Sequence, residues 1–189
     1  MPKTRVATME LSEANGSGVS GTIFMTENNF LPGVEIFGQV NGLAVGPHGF
    51  HVHTNGAISN NCADAGGHFN PFAVNSGAFV STSTSLPVLI EFQVPHGAPH
   101  AEVRHIGDFG NIQTDSATMP TMVNFIDRFG TLEGSMPNTI AGRAIVVHAG
   151  EDDLGLGGNP GSVASGNAGS RVACGVIVPC EFIIVWIFI

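Results

Sequence analysis

Positive charge is what this chain has least of. Six lysines and arginines stand against 15 acidic residues, Lys3 is the only lysine, and the formal net charge is -9. No basic run compensates this, which argues against nucleic acid and against an anionic membrane surface as partners. An anionic substrate would have to be attracted locally. Charged residues of both signs make up only 11% against 43% hydrophobic, so apolar side chains are plentiful enough for a sizeable core. Long apolar runs are missing. The apolar end at 182–189 is far shorter than the roughly 20 residues that span a bilayer, and reads as a last strand or a sticky tail. It also lacks the polar spacer of a lipid-anchor signal. The first ten residues hold no apolar stretch of signal-peptide length, so the cytoplasm is the expected compartment. No stretch has a helical period, and there is no internal repeat.

What remains is a pattern of short strands and turns. The 26 glycines follow no Gly-X-Y period and stand as isolated turn residues among the 189 positions, a length that fits one domain over 1–189. Alternating or branched apolar runs recur at 6–11, 19–26, 34–40, 50–53, 122–129, 144–148 and 171–178, bounded by Gly, Asn or Pro. This predicts an all-β fold, a sandwich or Greek-key barrel. Two irregular segments, 54–110 and 150–170, are long enough to be functional loops.

The histidines gather in and around those loops. His51 and His53 sit two apart in Gly-Phe-His-Val-His, so a strand puts both imidazoles on one face. His148 ends the run Ala-Ile-Val-Val-His and faces that pair if the strands meet as in a Greek key. Farther along the first loop come His68, His96, and His105 with Asp108. His68, His96, His105 and Asp108 form a closed tetrahedral set suited to zinc. His51, His53 and His148 form an imidazole set suited to copper, and the two ring nitrogens of His68 let it serve both. His48 reads as a satisfied core histidine, His100 as a solvated loop side chain.

These residues carry a resemblance. Gly49-Phe-His-Val-His53, Gly67-His-Phe-Asn-Pro71, Arg104-His-Ile-Gly-Asp108, Val146-Val-His148, Asp152-Asp-Leu-Gly155 and Gly166-Asn-Ala-Gly-Ser-Arg-Val-Ala-Cys-Gly175 resemble the copper/zinc superoxide dismutases, in the family's order. The resemblance covers the chain from about residue 6 to residue 177. It implies an eight-stranded Greek-key barrel with two long functional loops. It also implies copper on His51, His53, His68 and His148, and zinc on His68, His96, His105 and Asp108. Asp152 resembles the carboxylate linking His51 to His96 behind the metals. Arg171 resembles the arginine that sits beside copper and holds the anion. Cys62 and Cys174 match the family's disulfide, which leaves Cys180 as a free thiol. The implied reaction turns superoxide into dioxygen and hydrogen peroxide by copper redox cycling, with His68 as ligand and proton donor. A homodimer and a copper-delivery chaperone are the implied partners.

Two features depart from the family. The loop between His68 and His96 carries roughly twenty residues more than the pattern allows, an insertion at 72–95 with an apolar run at 86–94. The tail at 178–189 is unusually apolar. If the insertion disrupts the zinc loop, the alternative function is a copper/zinc-binding module without turnover. The segment 160–164 is uncharged where the family carries charge, which predicts a weak dependence of rate on salt.

Overall fold

The structure is a computed structural model that describes residues 4–28, 33–72 and 94–180, together with the backbone of 78–80 and 88–90. Eleven strands occur among these residues: β1 Arg5–Glu13, β2 Ser20–Glu27, β3 Val34–Asn41, β4 Gly46–His53, β5 Ala78–Val80, β6 Val88–Ile90, β7 Asp108–Thr114, β8 Thr121–Asp127, β9 Ala144–His148, β10 Arg171–Val176 and β11 Val178–Cys180. Eight of them run in the order β7-β4-β9-β10-β1-β2-β3-β8, and all of these pairs are antiparallel. β11 adds a short ninth strand on β1. The ends of the path are consecutive strands, and Thr114 Oγ1 lies 2.6 Å from Thr121 Oγ1 across them, so the barrel is nearly closed. The β3–β4 and β8–β9 connections pass between its two halves, the Greek-key arrangement expected from the sequence.

Period-two burial explains each wall. In β3, Val34, Ile36 and Val40 point inward while Glu35, Phe37 and Gln39 point out; in β1, Ala7, Met9 and Leu11 point inward. β9 is buried at all five positions, as befits a strand covered on both faces. Phe50 at the centre packs against Phe109 and Phe125, with ring centroids 6.3 Å from each.

All seven predicted runs contain a strand, but β7 begins inside the segment predicted as loop. Its burial alternates from Gly110 onward, but the inward positions are Gly110, with φ +73°, Ile112 and Thr114, so Ile112 alone marks them as apolar. A helix also escaped the periodicity search. α1, Pro160–Ser165, is too short to show a 3.6-residue period, yet Asn159 caps it, Pro160 opens it and left-handed Gly166 ends it. Within the insertion, β5 and β6 pair antiparallel as a separate two-stranded ribbon. The rest of it at 73–77, 81–87 and 91–93, and the tail at 181–189, lie outside the described residues. No helix among the described residues is long and apolar enough to cross a membrane.

Phe50 is fully buried, so Phe50→Ala should destabilise the protein by about 3–5 kcal/mol. A urea titration checks this: the midpoint should fall with the slope unchanged.

Candidate metal centre

Rigid strands supply three of the histidines. His51 and His53 end β4, which pairs with β9 so that His51 lies opposite Val146, and His148 closes β9. His68 comes in from the first loop and is held by an isolated bridge to His53. The ring of His51 is 4.2 Å from that of His68 and 5.0 Å from that of His148, and the rings of His53 and His68 are 5.1 Å apart. All four offer a ligand atom within 4.8 Å of one another.

Hydrogen bonds on the far side of each ring decide which nitrogen is free. His53 Nδ1 donates to the Gly66 carbonyl at 2.8 Å and His148 Nδ1 to the Gly169 carbonyl at 3.1 Å, because a carbonyl can only accept. His51 Nε2 donates to Asp152 Oδ2 at 2.9 Å. This leaves lone pairs on His51 Nδ1, His53 Nε2 and His148 Nε2. These three atoms and His68 Nε2 are buried without a hydrogen-bond partner. Four unpartnered buried nitrogens at one point are an anomaly for a protein interior and an ordinary feature of a site for a nitrogen-loving metal.

The second set shows the same logic more sharply. Asp108 is fully buried, and its Oδ1 lies 2.8 Å from His68 Nδ1, 2.8 Å from His96 Nδ1 and 3.2 Å from His105 Nδ1. Its Oδ2 is held from behind by the amides of Gly97 and His105. His96 Nε2 donates to Asp152 Oδ1, so its Nδ1 bonds Asp108 only by carrying a second proton. His105 Nε2 donates to the Val94 carbonyl, which leaves its Nδ1 for Asp108 as well. A cation among the three nitrogens and Oδ1 would take the place of protons there, so the residues fit a metal held by three imidazoles and one carboxylate. Three imidazoles with one carboxylate suit zinc, and an all-imidazole set suits copper.

The charge states follow from burial and neighbours. Burial pushes His51 down to about 3, His53 to about 2 and His148 to about 4, and it lowers His68 as well. For His96 burial acts the same way, but Asp108 and Asp152 outweigh it and raise the group to about 9. Burial would raise Asp108 and Asp152, yet hydrogen bonds from the histidines hold both carboxyls well below the usual carboxylate range.

Arg171 lies beside the first set. It opens β10 opposite His148, and its guanidinium donates to the carbonyls of Cys62, Ala63 and Gly66. Gly66 therefore holds both Arg171 and His53. The Cys62–Cys174 disulfide, with a Cα separation of 6.0 Å, ties this loop to β10 across 112 residues. By the chain-entropy model such a closure contributes about 4–5 kcal/mol. Cys180 is the free thiol. His48 is buried and bonded to the carbonyls of His148 and Ala44, and His100 is exposed.

The sequence reading missed the knot that shapes the second loop. Asp153 accepts from Ser162 Oγ at 2.7 Å and from Asn167 Nδ2 at 2.7 Å, and buried Ser162 in turn holds Gly157. Gly166 follows, with φ +70°; a Cβ there would overlap Asp152 Oδ1 and His96 Nε2. The Asn-Pro start and glycine stop of α1 were the available signal.

An antiparallel barrel carrying a buried double site of six histidines and one aspartate defines a two-metal protein. The family model for copper/zinc superoxide dismutase matches residues 19–177. The chain is 42% identical to superoxide dismutase (Cu-Zn) 5 of Dictyostelium discoideum over 162 residues, covering 86% of this chain and 91% of that protein. It is 41% identical to superoxide dismutase (Cu-Zn) 4 of the same organism over 162 residues, 86% of this chain and 92% of that one. The chain belongs to the copper/zinc superoxide dismutase family, oxidoreductases that act on superoxide with copper and zinc.

The metal-free protein should lose stability as pH falls from 7 to 5. His51, His53 and His148 have folded values below the unfolded 6.5, so the unfolded chain binds more protons in this window. Their contribution is present above 6.5 and is lost at up to about 2 kcal/mol each by pH 5. His96 works in the opposite sense but is already mostly protonated at pH 7, so it offsets less than about 1 kcal/mol. Tm of the chelator-treated protein at the two pH values checks the sign; an equal or higher Tm at pH 5 refutes it.

Proposed function

We propose that His51, His53, His68 and His148 hold copper, that His68, His96, His105 and Asp108 hold zinc, and that His68 bridges the two in the dismutation of superoxide. The observation that carries this reading is the position of His68, whose Nε2 points into one buried set while its Nδ1 points into the other. When bound, copper supplies one-electron redox cycling, oxidising one superoxide to dioxygen and reducing a second to peroxide, while zinc supplies a fixed charge without redox chemistry.

The chain's own groups do the rest. Arg171 binds the anion: its guanidinium is a fixed fork of donors, held by carbonyls that leave its charge in place. His68 holds and delivers a proton, since Nε2 can take one up while Nδ1 stays in the zinc set, and the second proton of hydrogen peroxide comes from water. Asp152 spans both sets, orienting His51 through Oδ2 and His96 through Oδ1. The Cys62–Cys174 disulfide holds the loop whose carbonyls seat Arg171.

A binding module without turnover needs neither Arg171 nor a redox-suited all-imidazole set. The zinc ligands also converge in spite of the long segment between His68 and His96. A domain over 1–189 with the insertion at 72–95, a homodimer, a copper-delivery chaperone and a cytoplasmic location complete the proposal, and these rest on family membership alone.

Reconstitution with copper and zinc, followed by metal analysis and a superoxide assay, tests the reading. The wild type should hold one of each metal per chain, and His148→Ala should lose copper and activity while keeping zinc. Stoichiometric metal without turnover would favour the binding module.

The second loop suggests another measurement. α1 carries no charged side chain, and Val163 within it and Leu156 before it are exposed. Long-range steering is therefore slight, and kcat/KM should change only a few-fold between about 10 and 150 mM salt. A steep fall would refute this.

A further inference from the structure

We infer that Asn111 is a positioning residue for both metal sets, acting through the backbone of Asp152. Asn111 lies on β7, on the solvent side of the strand, where an amide side chain would ordinarily be free. Instead its Nδ2 donates to the Asp152 carbonyl at 2.8 Å and its Oδ1 accepts from the Asp152 amide at 2.8 Å. The backbone groups fix the orientation of the amide, since an N–H needs an acceptor and a carbonyl needs a donor. Only a carboxamide offers both in the spacing of a peptide group. Aspartate would lose the donor and face the Asp152 carbonyl with a second acceptor.

This clamp is part of a built seat. Gly49 lies directly opposite Asn111 in the β4–β7 ladder, and its amide donates to the Gly150 carbonyl at 2.9 Å. Residues 150 and 152 of the second loop are thereby fixed to two neighbouring strands. Next to Asn111, Gly110 admits both loops to the sheet: a Cβ there would stand 2.8 Å from Pro99 Cγ and 3.6 Å from Leu154 Cδ2. Once its backbone is clamped, Asp152 has little freedom. Its Oδ1 takes His96 Nε2 at 2.7 Å and the Leu154 amide at 2.7 Å, and its Oδ2 takes His51 Nε2 at 2.9 Å. Asn111 thus sets the ring orientation of one ligand in each set without touching either metal position.

The inference rests on the metal assignment proposed above, and the test separates the two. Copper- and zinc-loaded wild type, Asn111→Ala and Asn111→Ser are compared with Val123→Ala, a core truncation on β8 that lowers Tm away from the site. The readouts are the rate of zinc release to a chelating dye and the copper EPR spectrum. Asn111→Ala should release zinc about tenfold faster or more and shift the spectrum. Asn111→Ser, which keeps one polar contact, should fall between it and wild type, and Val123→Ala should leave both readouts unchanged. Wild-type zinc release and EPR in the Asn111 variants would overturn the inference. So would equally fast release from Val123→Ala, or an Asn111→Ser chain that does not fold, since the role would then belong to the fold at large. A wild-type chain that takes up neither metal would instead refute the metal assignment.

Discussion

Buried imidazole nitrogens with nothing to bond are the constraint around which this protein is arranged. An unsatisfied buried polar group costs about 1–3 kcal/mol, and the barrel collects four such nitrogens at one point, beside a buried carboxylate on which three further ring nitrogens converge. Such a cluster is tolerated because a cation answers every lone pair at once. The outward sides of His51, His53 and His148 are bonded to Asp152, Gly66 and Gly169, and those of His96 and His105 to Asp152 and Val94, so the inward nitrogens are aimed before any metal arrives. Metal binding therefore completes a hydrogen-bonding account that folding leaves open, and the stability of the loops is linked to it.

The two sets differ in how they are mounted. Three of the four first-set ligands sit at the ends of β4 and β9, central strands of the ladder, and cannot drift without disturbing the core. The second set is mostly loop: only Asp108 starts a strand, while His68, His96 and His105 come from irregular chain. That is consistent with a redox centre that needs fixed geometry and a closed structural site that helps to order its own loop. Asp152 joins the rigid half to the loop-borne half through two carboxylate oxygens. The disulfide does the same for the chain between His53 and His68, and the small buried cluster of Ala14, Ala65, Ala144 and Val146 around it shows that the tie is packed.

How much could be read from the sequence depends on how local each signal is. His51 and His53 were legible because a strand's period of two turns spacing into a shared face, and His148 because its run of branched residues is an unmistakable buried strand. His68, His96 and His105 are isolated in irregular chain, so their convergence rests on long-range folding that residue spacing alone does not encode; the family resemblance supplied the order. β7 was not legible, since two of its three alternating inward positions are Gly110 and Thr114 and give no apolar signal. Asn111 was invisible for a related reason: on a half-exposed strand an outward asparagine looks like solvent-facing filler, and its clamp depends on a loop 41 residues away. Asp153 stands in the sequence only as a neighbour of Asp152 in the motif, although its partners Ser162 and Asn167 lie within 14 residues.

The scarcity of positive charge, odd for a member of a family that acts on an anion, is set against the places of three of the five arginines. Arg104 is buried against Asp127, and Arg5 is paired with Glu27 and Glu133, so neither projects a field outward. Arg171 has no carboxylate partner among the described residues; it is held by three carbonyls, which fix its position without cancelling its charge. At physiological salt, charges beyond about 8–10 Å are largely screened, so the net charge of -9 weighs less on the first set than the Arg171 guanidinium, whose charge acts on His53 and His148 directly. On the role proposed above for Arg171, capture is a short-range event governed by one positioned side chain.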